Sequence, residues 1–415
     1  MKSRTTAAWI AWLLAAVYYL YQYALRSAPA VMMPQLSEAF HLSAAVMASV
    51  LGLFYYAYAA LSLVAGISID RIGARTVIPA GALLTGAGAL LFGTGNFTAA
   101  SIGRFLQGGG GVFALIGAVY IASRNFPASQ AATLIGATQM FGMAGGAAGQ
   151  FLVGPMIAGG ITWSAFWIGM GLAGLGIAAA LVVLLPKEKL EKSKDEWFKG
   201  SMTALAVVFR NPQSILCGLI AGLLFIPTTI FDMIWGVRFL QEAHGFGYGE
   251  AVIRSATIPL GWIIGCPLLG FISDRVGRRK PVIIGGACVL LACLFWILYG
   301  SADTFPPYVL GLIAGIASGS AMILYTVIKE ANPPQYGGTA TGAINLLNFA
   351  FTAIVGEIFI KIMQVSSQEK LAGPEHYQVT FQPLLYGVAL AALLTFALKE
   401  TGWAARPSKE TLVTA

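Results

Sequence analysis

Charge is scarce in this chain: Asp, Glu, Lys and Arg make up 10% of its 415 residues, against 57% hydrophobic residues. An ordinary soluble domain carries about 25% charged residues, so a water-facing globule is excluded. Histidine is rarer still. His41, His244 and His376 are the only three, all in expected loops, which leaves no buried histidine relay. The four cysteines, Cys217, Cys266, Cys288 and Cys293, sit inside apolar runs with no histidine beside them. That pattern speaks for packing residues rather than a metal site or a disulfide framework. No Walker-type phosphate loop occurs, so ATP is not the expected energy source and no cofactor is implied.

Long apolar runs recur along the whole chain. Each is close to the ~20 residues a helix needs to cross about 30 Å of hydrocarbon. A backbone crossing lipid must satisfy its own hydrogen bonds, so these runs are helices. Spans are expected near 8–34, 45–67, 77–95, 98–122, 129–157, 162–185, 213–240, 251–272, 281–300, 307–328, 337–363 and 380–398. The first apolar stretch is too long for a secretory signal and reads as an uncleaved helix. The fold class is therefore an all-α membrane protein of twelve transmembrane helices in two pseudo-symmetric six-helix bundles. The expected division is 1–185, a polar linker over 186–211 whose alternating charges can equally form a short helix lying on the membrane, and 212–415 with a short tail.

A net charge of +8 raises the question of a polyanion partner. Placing the N-terminus inside puts Lys2, Arg4, Arg71, Arg75, Arg124, the lysines of 187–199, Arg210, Arg275, Arg278, Arg279, Lys280, Lys329, Lys399, Arg406 and Lys409 on one side. Only Arg26, Arg104, Arg238, Arg254, Lys361 and Lys370 remain. This is the positive-inside pattern, with both termini cytoplasmic. It accounts for the basic balance without nucleic acid, and the expected setting is a bacterial inner membrane.

The halves echo one another, as in transporters built from repeats. Gly66-Ile-Ser-Ile-Asp70-Arg71-Ile-Gly73-Ala-Arg75 follows the second span, and Gly270-Phe-Ile-Ser-Asp274-Arg275-Val-Gly277-Arg278-Arg279 follows the eighth. A weaker echo joins Arg124-Asn-Phe-Pro127 to Glu330-Ala-Asn-Pro333. The paired loop resembles the signature of the major facilitator superfamily, complete in both halves. That resemblance covers nearly the whole chain and implies a gate on the cytoplasmic face built from Asp70, Arg71, Arg75, Asp274, Arg275 and Arg279. The aspartates can accept hydrogen bonds from arginines and helix N-termini, unless the loops only anchor the chain at the interface. Arg104-Phe-Leu-Gln107-Gly108 resembles a second element of that superfamily, with Arg104 as a structural brace or a solute ligand. The first span, Tyr18-Tyr19-Leu-Tyr21-Gln22-Tyr23-Ala-Leu-Arg26, is similar to those of organic-anion symporters and organophosphate antiporters of the superfamily. It is equally similar to the bacterial intraphagosomal amino-acid transporters, as is the second-span run Phe54-Tyr55-Tyr56.

Charges within a span are costly and mark functional candidates. Tyr19, Gln22, Tyr23 and Arg26 share one helical face, being three and four residues apart. A planar guanidinium grips a carboxylate or phosphate through two parallel hydrogen bonds. Asp232 lies in the seventh span at the repeat offset from Arg26, with Thr228 and Trp235 expected on its face. Asn345, Asn348 and Thr352 form a polar face of the eleventh span, and Glu357 pairs with Lys361 at i,i+4. The expected binding set is thus Arg26, Tyr19, Gln22, Tyr23, Tyr55, Asp232, Trp235, Asn345 and Asn348. Asp232 and Glu357 are the only acids within spans outside the loop motifs, hence the candidates for proton coupling.

The expectation is a monomeric secondary active transporter, not an enzyme, that moves a small carboxylate-bearing metabolite together with a proton or other coupling ion. An amino acid or short peptide leads, with an organic anion or organophosphate as the alternative. A membrane receptor or membrane-embedded enzyme is the reading from another class.

Overall fold

The computed structural model describes residues 2–42, 44–186, 197–301, 308–368 and 373–405. Among them no strand occurs. The helices in order are α1 Lys2–Ser27, α2 Met33–Phe40, α3 Ala44–Ile72, α4 Ala74–Gly93, α5 Phe97–Asn125, α6 Ala131–Phe151, α7 Val153–Ala158, α8 Trp163–Leu184 and α9 Trp197–Arg210. There follow α10 Pro212–Ile226, α11 Val237–His244, α12 Tyr248–Val276, α13 Lys280–Tyr299, α14 Val309–Ser318, α15 Ile323–Glu330, α16 Gly337–Gln368 and α17 Gly373–Ala397. Ten stretches of the described residues are long and apolar enough to span a membrane. The remaining two of the twelve expected spans coincide with α6–α7 and α16.

Helix starts are written locally. Asn96 accepts from the Ala99 N–H at 3.0 Å to open α5, and Thr162 caps α8 through the Ala165 N–H at 3.2 Å. Asn211, followed by Pro212 at the first helical position, opens α10. The side chain thereby meets donors that a helix leaves unpaired at its N-terminus.

The chain forms two compact units. One comprises 1–126, 141–210 and 333–346; the other comprises 127–140, 211–332 and 347–415. The first is held by close approach of α4 and α5, where Gly88 meets the carbonyl of Gly103 and Gly110 meets that of Gly81. In lipid the apolar side chains gain nothing by leaving tail for helix, so small residues that admit backbone contact carry the packing. The second unit repeats the device between α12 and α14, where Gly261 lies on the Leu312 carbonyl and Gly315 on that of Ile258. Large apolar side chains such as Leu172, Val183, Leu393 and Phe396 point outward, as lipid-facing residues do.

Two expectations are corrected, the single helix of the seventh span and the placing of His244 and His376 in loops. The seventh span is not one regular helix: α10 runs into a π-helical stretch, Pro227–Gly236, before α11 resumes. With about 4.4 residues per turn there, Thr228 still falls within a small fraction of a turn of Asp232, and its hydroxyl accepts from the Trp262 indole of α12 at 2.8 Å. The linker interval contains a helix, α9, over Trp197–Arg210, while 187–196 lie outside the described residues. His244 is not in a loop but ends α11, and His376 falls within α17.

Candidate functional site

In the first unit α1 presents a polar strip that α3, α5 and α6 enclose. Tyr19 packs on Gly142 of α6, and Tyr23 stands edge-on to it with ring centroids 4.9 Å apart. Gln22 faces α5 at Gly111, where an added Cβ would lie 3.1 Å from its Cγ. It is fully buried, and neither amide atom has a hydrogen-bond partner among the described residues. Buried amides are ordinarily paired, so an orphaned one marks either strain or a ligand position. Arg26 sits between two rings, its guanidinium carbon 4.9 Å from the Tyr23 centroid and 4.8 Å from that of Tyr55 on α3. Aromatic faces attract the cation without neutralising it, and the guanidinium also donates a hydrogen bond to the Tyr55 hydroxyl.

Arg104 does something different. It is only 1% exposed. Its guanidinium donates to the Leu25 carbonyl of α1 at 3.2 Å, the Leu51 carbonyl of α3 at 3.4 Å and the Gln107 amide oxygen at 2.7 Å. Gln107 in turn donates to the Gly88 carbonyl of α4 at 3.0 Å. One side chain thus braces α1 and α3 against α5, and its neighbour adds α4. Asn345 belongs to the same unit but donates to the Ser62 hydroxyl of α3 at 2.9 Å, so its amide nitrogen is engaged between helices.

In the second unit Asp232, on the π-helical stretch, is 4% exposed and accepts from the Ser255 hydroxyl of α12 at 2.7 Å. Ser255 was not legible as its partner, because nothing in the spacing of one helix announces what faces it from another. Asn348, one turn on from Asn345 along α16, is also buried. Arg254 pairs with Glu250 at 2.8 Å and lies 4.0 Å over the Phe246 ring. The side chains of Trp235, Arg238, Thr352, Glu357 and Lys361 lie outside the described residues.

The signature loops are built as carboxylate clamps on helix starts. Asp70 accepts from the backbone N–H of Gly338 at 2.8 Å and of Thr339 at 2.6 Å, and from the Thr339 hydroxyl at 2.7 Å. Asp274 does the same at α6, accepting from the N–H of Ala132 and Thr133 and from the Thr133 hydroxyl. The charge complements the positive end of each helix. The two clamps differ in their arginines. Arg279 is fully buried between Asp274 at 2.6 Å and Glu330 at 2.8 Å, whose carboxylates hold its charge firmly, whereas Arg75 donates to the Leu185 carbonyl. Arg71 is half-buried and Arg275 exposed, and neither has a hydrogen bond or ion pair among the described residues. Sequence reading also missed the C-terminal strap: Glu400 accepts from the N–H groups of Arg279 and Lys280, and the Trp403 indole donates to the Asp274 carbonyl at 2.7 Å. Asp274 and Arg279 were legible in the signature loop, and the weak echo was the signal for Glu330.

Comparison with known proteins follows the same line. Residues 12–356 match the family model of the Major Facilitator Superfamily. The chain is 29% identical over 323 residues to a hexuronate transporter of Bacillus subtilis (strain 168), covering 73% of this chain and 72% of that one. It is 23% identical over 344 residues to the membrane sensor protein UhpC of Salmonella typhimurium (strain LT2), covering 75% and 76%. Among solved structures it resembles the transporter FucP in the outward conformation, with TM-score 0.72, 17% identity, and coverage of 93% of this chain and 98% of that one.

Proposed function

The chain belongs to the Major Facilitator Superfamily and is a membrane-spanning secondary transporter; on that premise we propose that its solute is a small organic anion of the sugar-acid kind, one carboxylate on a hydroxylated body. The observation that carries this reading is Arg26, a cation on the membrane-spanning α1 framed by the rings of Tyr23 and Tyr55. A carboxylate fits its fork by two parallel bonds. Gln22, one turn away and with both amide atoms open, suits a solute hydroxyl, which can donate and accept. The name of the Bacillus relative points the same way. An amino acid or peptide, the leading expectation from sequence, gains no support from the named relatives, while the carboxylate common to both readings is retained.

Asp232 is the described acid inside a span and outside the clamps, and it serves this reading as the proton carrier. Opening and re-forming of the Asp70 and Asp274 clamps accompanies alternation of access. Both termini lie in the cytoplasm of a bacterial cell, as the basic loops require.

A thermal-shift screen on the purified protein tests the solute class. Glucuronate and galacturonate are expected to raise the melting temperature, with the parent sugars and zwitterionic amino acids without effect. Stabilisation by amino acids alone returns the sequence expectation to first place. Binding without flux in liposomes assigns the sensing role that the name of the Salmonella relative carries.

A further inference from the structure

The second unit contains a cavity of about 100 Å³ that has no place in solute recognition as described above. Asp232 and Ser255 lie at its inner end, and His244, Phe246, Arg254 and Tyr308 at its loop end. Ser255 is seven residues from the start of α12, so Asp232 lies about two turns, or roughly 10 Å, inside that end. The latch at Asp274 occupies the opposite end of the same 29-residue helix. Gly236 keeps the inner end open: a Cβ there would stand 2.9 Å from the Ser255 hydroxyl and 3.0 Å from an Asp232 oxygen. The space admits a few water molecules, each occupying about 30 Å³ in the liquid.

We propose that this cavity is a proton-access route to Asp232 that lies within one unit, with His244 as its proton-exchanging entrance. The inference rests on the reading of Asp232 as the coupling acid. His244 stands edge-on to Phe239, centroids 5.0 Å apart. Burial, together with the charge of Arg254, holds its imidazole below the ordinary histidine range, against a bond to the backbone of Ile297 that favours the cation. A neutral imidazole can take a proton from water at the mouth and release it through cavity water to an Asp232 oxygen, returning to neutral. The charges around it are accounted for. Arg254 of α12 is paired with Glu250, and Glu242 of α11 accepts from the Tyr377 hydroxyl of α17 at 2.6 Å. From α13 come only Trp296 and Ile297, and Tyr308 adds a phenol. The side chain of Arg238 lies outside the described residues.

The test uses the full-length chain with its four cysteines replaced, reconstituted in liposomes. Ser255→Cys is probed with ethylammonium methanethiosulfonate, with and without Ser301→Trp, which places a ring at the mouth. Tyr55→Cys in the other unit is the control. The expected result is that Ser255→Cys reacts and that the plug slows it at least tenfold, with Tyr55→Cys changed less than twofold. An unreactive Ser255→Cys, or one indifferent to the plug, overturns the route. In the cysteine-containing protein, Ser301→Trp is expected to cut accumulation of labelled galacturonate under a pH gradient at least tenfold and to leave exchange at equal pH within twofold. Equal loss of both, or of neither, also overturns it. Should galacturonate prove not to be carried, the solute reading fails while the labelling arm still decides the route.

Discussion

Replacing Asp274 by asparagine removes one charge and one acceptor from a site where four donors converge. Oδ1 receives Arg279 at 2.6 Å and the Ala132 N–H at 3.3 Å; Oδ2 receives the Thr133 N–H and hydroxyl, both at 2.8 Å. The amide keeps its oxygen toward the cationic Arg279, which turns its NH₂ group onto Thr133. The threonine hydroxyl can reverse and accept, but the backbone N–H cannot. A hydrogen bond to a charged group contributes about 1.5–3 kcal/mol. Loss of some 2 kcal/mol corresponds to a roughly 30-fold shift, at 1.4 kcal/mol per factor of ten. Hydrogen exchange read at single residues reports it, because the Thr133 N–H owes its protection to this carboxylate. The expected outcome is a roughly 30-fold acceleration at Thr133, with Gly338 and Thr339, held by Asp70, unchanged. Asp70→Asn should give the converse pattern. Unaltered exchange at Thr133 would reduce the signature loops to interfacial anchors and refute the clamp.

Arg104→Lys should cost about 3 kcal/mol, since one ammonium cannot reach both the Leu25 and Leu51 carbonyls; a melting temperature equal to the parent's would show that the brace is dispensable. The folded-state pKa of His244 is depressed, so its contribution to stability is present above the ordinary value of 6.5 and lost as pH falls toward the folded value. Melting between pH 7.5 and 5 should therefore show a drop that His244→Gln reduces. Trp403→Ala removes the indole bond to the Asp274 carbonyl, and tryptic cleavage after Arg278 should accelerate severalfold; resistance like that of the parent would mean the strap carries no load.

The spans and the doubled loop were legible because lipid imposes length and apolarity on every crossing, and because the repeat writes the same residues twice. The polar strip of α1 was legible for a related reason: Tyr19, Gln22, Tyr23 and Arg26 are close in sequence, so helical spacing alone brings them near one another. What faces them was not. Tyr55 was named on resemblance, whereas the enclosure of Gln22 by Gly111 depends on how α5 packs. The π-helical stretch around Asp232 escaped because apolar runs do not distinguish 3.6 from 4.4 residues per turn. Its consequences, the Trp262 bond to Thr228 and the cavity reaching His244, are tertiary. Arg279 and Glu330 meet across 51 positions, and no local spacing announces such a pair.

Uptake of labelled galacturonate into proteoliposomes, by the parent protein and by Arg26→Lys, tests the central claim most directly. Lysine keeps the charge and loses the two-pronged grip and the stacking between Tyr23 and Tyr55, a combined loss of about 2–3 kcal/mol. The account expects uptake by the parent, competition by other sugar acids but not by amino acids, and a loss of affinity of roughly 30-fold or more in a folded Arg26→Lys. Equal uptake by the two proteins, or uptake that alanine suppresses and glucuronate does not, would contradict it.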